Sequence, residues 1–162
     1  MFKKIILSLF IVLFSTVSAY AAAPTYNYNL TVSIYKYIGE DAIPVDDQIY
    51  KTLDKTFKEK PSDFTMLYSI SSIMTDQMQV AQFSNKITNG SVIQNLNGEL
   101  YSYGDVENKK ILNVNYEVKT LDLQFKTEQR YLIKNDSDFS KISYTFSSKN
   151  VPLIVLYKLE KQ

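Results

Sequence analysis

Residues 26 to 38 read YNYNLTVSIYKYI. Their even positions, Tyr26, Tyr28, Leu30, Val32 and Ile34, are apolar. Their odd positions are polar through Asn27, Asn29, Thr31 and Ser33, then turn aromatic at Tyr35 and Tyr37. Period-two alternation is the mark of a strand with one face in a core. The even face is therefore expected to pack inward. Tyr35 and Tyr37 either lie under the loop or helix that follows, or belong to a partner surface.

The period then changes. Ile49, Leu53 and Phe57 recur every four residues, with Lys51, Asp54, Lys55 and Lys58 on the other face and Pro61 beyond. This predicts an amphipathic helix over about 46–58, capped by Asp46 or Asp47 at its positive end.

The rest alternates as strands. Phe64, Met66, Tyr68 and Ile70 share one parity. Around Val80 and Ala81 the apolar parity switches, which predicts a bulge. Asn89-Gly90 and Asn97-Gly98 both read as hairpin turns, since both residue types tolerate positive φ. In 109–134, Leu112, Val114, Tyr116 and Val118 hold one parity and Leu121, Leu123 and Phe125 the other. That shift predicts a bend or bulge near Lys119-Thr120. Ile142, Tyr144 and Phe146 give a further strand. A last one carries Val151, Leu153, Val155, Tyr157 and Leu159, and Pro152 suits its start or an edge. The expected fold is mainly β: an antiparallel β-sandwich or small barrel of about eight strands, with one amphipathic helix after the first.

Composition then narrows the compartment. Lys3 and Lys4 precede a mostly apolar run from Ile5 to Phe14, and small residues follow at Ala19, Ala21 and Ala23. This predicts a signal peptide over 1–21 and a single β-rich domain over 22–162, with cleavage at one of those alanines. The run is short for a membrane span. The expected location is the periplasm or the exterior of a bacterial cell, with the outer membrane as the lesser alternative. The chain holds 18 basic and 17 acidic residues. Such a balance lacks the basic face that nucleic acid demands. It has no Cys, so burial alone must hold the domain together.

His is absent too. Nucleophile systems built on a His base and zinc sites built on Cys or His are thereby excluded. With four Gly in the chain, a phosphate-cradling loop is not expected either. No catalytic residue, metal site or cofactor is assigned. A carboxylate-based glycosidase is the one enzymatic form left. Glu40, Asp41, Asp46 and Asp47 could in principle hold calcium, but a polar loop with an Asp cap explains them more simply.

Tyr is in excess, with 13 in the chain. Its ring and polar tip suit cores, membrane girdles and protein or glycan interfaces alike. Tyr35, Tyr37, Tyr101 and Tyr103 are the candidate partner-binding residues. The expected function is a non-enzymatic, exported envelope protein that binds another envelope or secreted protein, as an accessory or assembly subunit of a surface or secretion apparatus. The alternatives are a small outer-membrane β-barrel and a carrier of a small apolar ligand. Strand addition, if used, is expected at the first or last strand, although the doubly apolar Leu153–Leu156 stretch favours a buried central place for the last.

Overall fold

The computed structural model describes residues 26–41, 43, 48–76, 80–104, 109–134, 138–147 and 149–162. The leader, Asp46, Asp47 and Met78 lie outside the described residues.

Eight strands and one helix follow in order: β1 (Tyr26–Tyr37), α1 (Ile49–Glu59), β2 (Phe64–Asp76), β3 (Val80–Asn89), β4 (Val92–Ser102), β5 (Lys109–Lys119), β6 (Gln124–Lys134), β7 (Phe139–Phe146) and β8 (Pro152–Lys161). A single 3-10 turn, Pro61–Asp63, leads from α1 into β2. The strands form two four-stranded antiparallel sheets, ordered β2-β1-β8-β7 and β3-β4-β5-β6. They face each other across one core, as in a sandwich. Its inward positions include Leu30, Val32 and Ile34 of β1, Leu96 and Leu100 of β4, Leu112, Val114 and Val118 of β5, and Val155 and Leu159 of β8. Filling both inner faces with branched apolar side chains is what holds a domain without disulfides.

The mixed outer face of β1 has a direct cause. Near its start, outward hydroxyls and amides pair across to β2: Thr31 Oγ1 with Ser71 Oγ at 3.0 Å, Ser33 Oγ with Ser69 Oγ at 2.9 Å, and Thr75 Oγ1 donates to Asn27 Oδ1 at 3.0 Å. Near its end, α1 covers the same face. Ile49, Leu53, Phe64 and Ile154 form a second buried cluster there, with Tyr35, Tyr37, Phe57 and Ile142 packed against it. The rings of Tyr35 and Phe57, Phe57 and Phe64, and Tyr37 and Phe64 meet edge to face at 5.0, 5.0 and 5.2 Å. β2 accommodates the change through a register shift opposite Ile34/Tyr35, which leaves Leu67 as the extra residue. Phe64 therefore faces the helix while Ile70 faces the main core, and the shared parity expected for those two residues is broken.

The helix spans Ile49–Glu59, with Gln48 at its N-cap position, whereas the sequence placed its start at 46. Lys58 reaches Asp54 one turn back at 2.6 Å. Among the described residues, no helix is long and apolar enough to cross a membrane.

Three further expectations are corrected. Asn97-Gly98 is not a turn: β4 runs through it, with Asn97 paired to Ser84 and Asn115 on either side. A Cβ on Gly98 would overlap the Asn113 carbonyl oxygen and crowd the Phe83 ring, so the glycine serves close backbone approach. The 109–134 stretch is not one bent strand but a hairpin. Its turn is tied by Thr120 N–H donating to the Leu123 carbonyl at 2.7 Å and by Thr120 Oγ1 accepting from the Leu123 N–H at 2.9 Å. β3 pairs with β4 from Val80 to Asn89 without a register shift, so no bulge sits at Ala81. The Asn89-Gly90 turn is present, with Gly90 at φ 56°. Pro152 opens β8.

Candidate binding face

Strand pairing brings the outward residues of the β3–β6 sheet into rows. Lys86, Asn95, Glu117 and Lys126 form one row across the four strands. Ser84, Asn97, Asn115 and Glu128 form the next, and Gln82, Glu99, Asn113 and Arg130 the third. Each row follows from alternation: when Leu96, Leu100, Leu112, Val114 and Tyr116 point inward, their neighbours must point out.

The centre of this panel is hydrogen-bonded from strand to strand. Asn95 Nδ2 donates to Glu117 Oε2 at 3.1 Å, Asn115 Nδ2 to Asn97 Oδ1 at 3.3 Å, and Asn113 Nδ2 to Glu99 Oε1 at 2.9 Å. Lys119 Nζ lies 2.9 Å from Glu117 Oε1. The bonds from Lys119 and then Asn95 hold the Glu117 carboxyl below the usual carboxylate range. Two depressions of about 510 Å³ each lie over the panel. Both are lined by Ser84, Asn97, Asn115 and Glu128, so they join into one trough across the sheet.

One end of the panel is apolar. Val80, Tyr101, Ile111 and Leu132 make the next row. Val80 is 48% exposed, Leu132 56%, and Tyr103 just beyond is 45% exposed, while Ile111 is buried. Arg130 Nη2 donates to the Tyr101 hydroxyl at 3.2 Å.

The four candidate tyrosines thus divide. Tyr101 and Tyr103 sit together at the end of β4, at the edge of this face. Tyr35 and Tyr37 lie on the other sheet, half-buried against α1, and share no surface row with them. Burial, chiefly, raises the Tyr37 hydroxyl's pKa. Asp41, from the acidic stretch before the helix, pairs with Lys60 at 3.6 Å. Among the described residues, no group of three or more His, Cys, Asp or Glu could hold a metal ion.

The panel itself was not foreseen. Its signal was the repeated N-x-N, Asn95-Leu96-Asn97 and Asn113-Val114-Asn115, which puts two amides on one face of each of two strands. Reading Asn97-Gly98 as a turn hid it.

Comparison with known proteins adds no relative: no protein-family model matches the chain, and neither does a curated protein or a solved structure.

Proposed function

We propose that the chain is a non-enzymatic, exported binding module whose partner is another envelope or secreted protein, serving as an accessory or assembly subunit of a surface or secretion apparatus. The observation that carries this reading is the apolar end of the β3–β6 face. Val80 and Leu132 are exposed at the two ends of the row that Tyr101 and the buried Ile111 complete, Tyr103 is exposed just beyond it, and the Tyr101–Arg130 contact borders the polar panel. Exposed apolar patches rimmed by polar groups mark protein contacts, and Tyr and Arg are the anchors enriched there. Arg130 is the chain's one Arg.

The alternatives have less support. A lipid-facing wall needs apolar outward positions, whereas β4 and β5 carry Asn and Glu there. A carrier needs an apolar cavity, whereas the depression of about 250 Å³ at one end of the sandwich has charged and polar residues, Lys36, Thr120 and Asp122, in its lining beside Tyr68, Leu123 and Leu153.

The test is fractionation of cells expressing the full chain, followed by crosslinking and purification. The expected result is chain in the soluble exported fraction with a polypeptide in fixed ratio. The Tyr103→Ser, Leu132→Ser double variant, melting as the wild type does, should lose that polypeptide. Chain retained in carbonate-washed outer membranes, migrating differently after heating, would overturn the reading.

A further inference from the structure

The trough over the Asn97–Asn115 row is distinct from the apolar end and does not depend on what binds there. Its floor breaks a local rule. Asn is depleted in strands, yet Asn95, Asn97, Asn113 and Asn115 occupy the middle of the two central strands of the sheet. Thr or Val at these outward positions would suit the pleat better, and departures from local preference concentrate at functional sites.

The chemistry of the floor is specific in three ways. First, each amide is held by a cross-strand partner, so its orientation is fixed before any ligand arrives. Each still offers a second N–H or a further carbonyl lone pair. Donors and acceptors therefore stand side by side, which matches adjacent hydroxyls, since each hydroxyl both donates and accepts. Second, the charges nearly cancel. Lys86, Lys119, Lys126 and Arg130 stand against Glu99, Glu117 and Glu128, and Lys119 is paired directly to Glu117, which leaves a small net positive charge and no strong field. Third, the trough spans all four strands, about 14 Å over three interstrand gaps. Its depressions, about 510 Å³ each, fall within the range of small-ligand sites.

We infer that this trough binds a short segment of a neutral oligosaccharide, laid across the strands along the Asn97–Asn115 row. The ring hydroxyls would bond the Asn97 and Asn115 amides, and Ser84 and Glu128 would close the two ends.

The direct test is titration of the isotope-labelled purified chain with cellotriose, maltotriose and triacetylchitotriose, followed through the side-chain amide signals of Asn97 and Asn115. At least one trisaccharide should shift both signals saturably. The Asn97→Thr, Asn115→Thr double variant should bind it at least tenfold more weakly. Its melting temperature should be unchanged or higher, because Thr suits a strand. No saturable shift with any of the three sugars overturns the inference. So does equal binding by the double variant, or tighter binding of the charged trigalacturonate. Should the double variant fail to fold, the wild-type titration decides. Loss of sugar binding would leave the protein contact at Tyr103 and Leu132 intact, so the two readings fail separately.

Discussion

At Gly98 the neighbouring strand leaves no room for a side chain, because the Asn113 carbonyl and the Phe83 ring fill the space a Cβ would take. Gly98→Ala should therefore cost about 2–3 kcal/mol, since the main obstacle is backbone and cannot rotate away. Urea denaturation measures it, and a change under about 0.5 kcal/mol would mean that the strands can part there without loss. The tyrosines divide in the same physical terms. Tyr35 and Tyr37 stack edge to face with Phe57 and Phe64 under α1. Tyr35→Ser and Tyr37→Ser should each destabilise by about 1–2 kcal/mol, as half-buried aromatic rings do. Tyr103→Ser should fall within about 0.5 kcal/mol of wild type, as exposed positions do. Equal losses at all three would contradict the division. Alternation alone located Tyr35 and Tyr37 on the polar side of β1. Cover by the following loop or helix was one of two expectations for them, and α1, the next element, supplies it. For Gly98 the dipeptide signal misled: Asn-Gly favours a turn locally, and strand pairing on both sides overrode it.

At the scale of elements, α1 is held to the sandwich by an apolar stripe, Ile49, Leu53 and Phe57, over β1, β2, β7 and β8, and by Tyr50 stacked on Tyr144 of β7 at 5.5 Å. Leu53 is fully buried at the centre of that stripe. Leu53→Ala should cost about 2–4 kcal/mol. Amide exchange should quicken across α1 and leave β4 and β5 protected, because the helix packs on an outer face and the main core does not include it. Uniform loss of protection would mean that helix and sheets unfold as one unit. The helix and most strands were legible from periodicity. The total of eight strands came out right although two of its parts were drawn differently. Residues 92–102 are one strand that reads as two, and 109–134 are two strands that read as one. A parity change is the same whether a strand bulges or a four-residue turn intervenes, and only the pairing of Lys119 with Gln124 distinguishes them. Strand addition at the first or last strand is ruled out for a different reason. β1 and β8 are the two middle strands of their sheet, so neither presents a free edge.

Across the whole molecule, the two outer faces differ in kind. One is divided between a hydroxyl ladder and a helix. The other is an open panel of amides and charges of both signs with an apolar end. Four strands must pair in register before Asn95, Asn97, Asn113 and Asn115 become one surface, which is why a reading along the chain did not assemble it. The central claim is that the protein meets its partner through the apolar end of the panel. The most direct measurement places a photo-crosslinking amino acid at Tyr103 or Leu132, and as controls at Ile73 or Lys158 on the opposite sheet, in cells expressing the full chain. The account expects one discrete adduct from Tyr103 and Leu132 and none from the controls. An adduct of the same size from Ile73 or Lys158, with none from Tyr103 and Leu132, would contradict it.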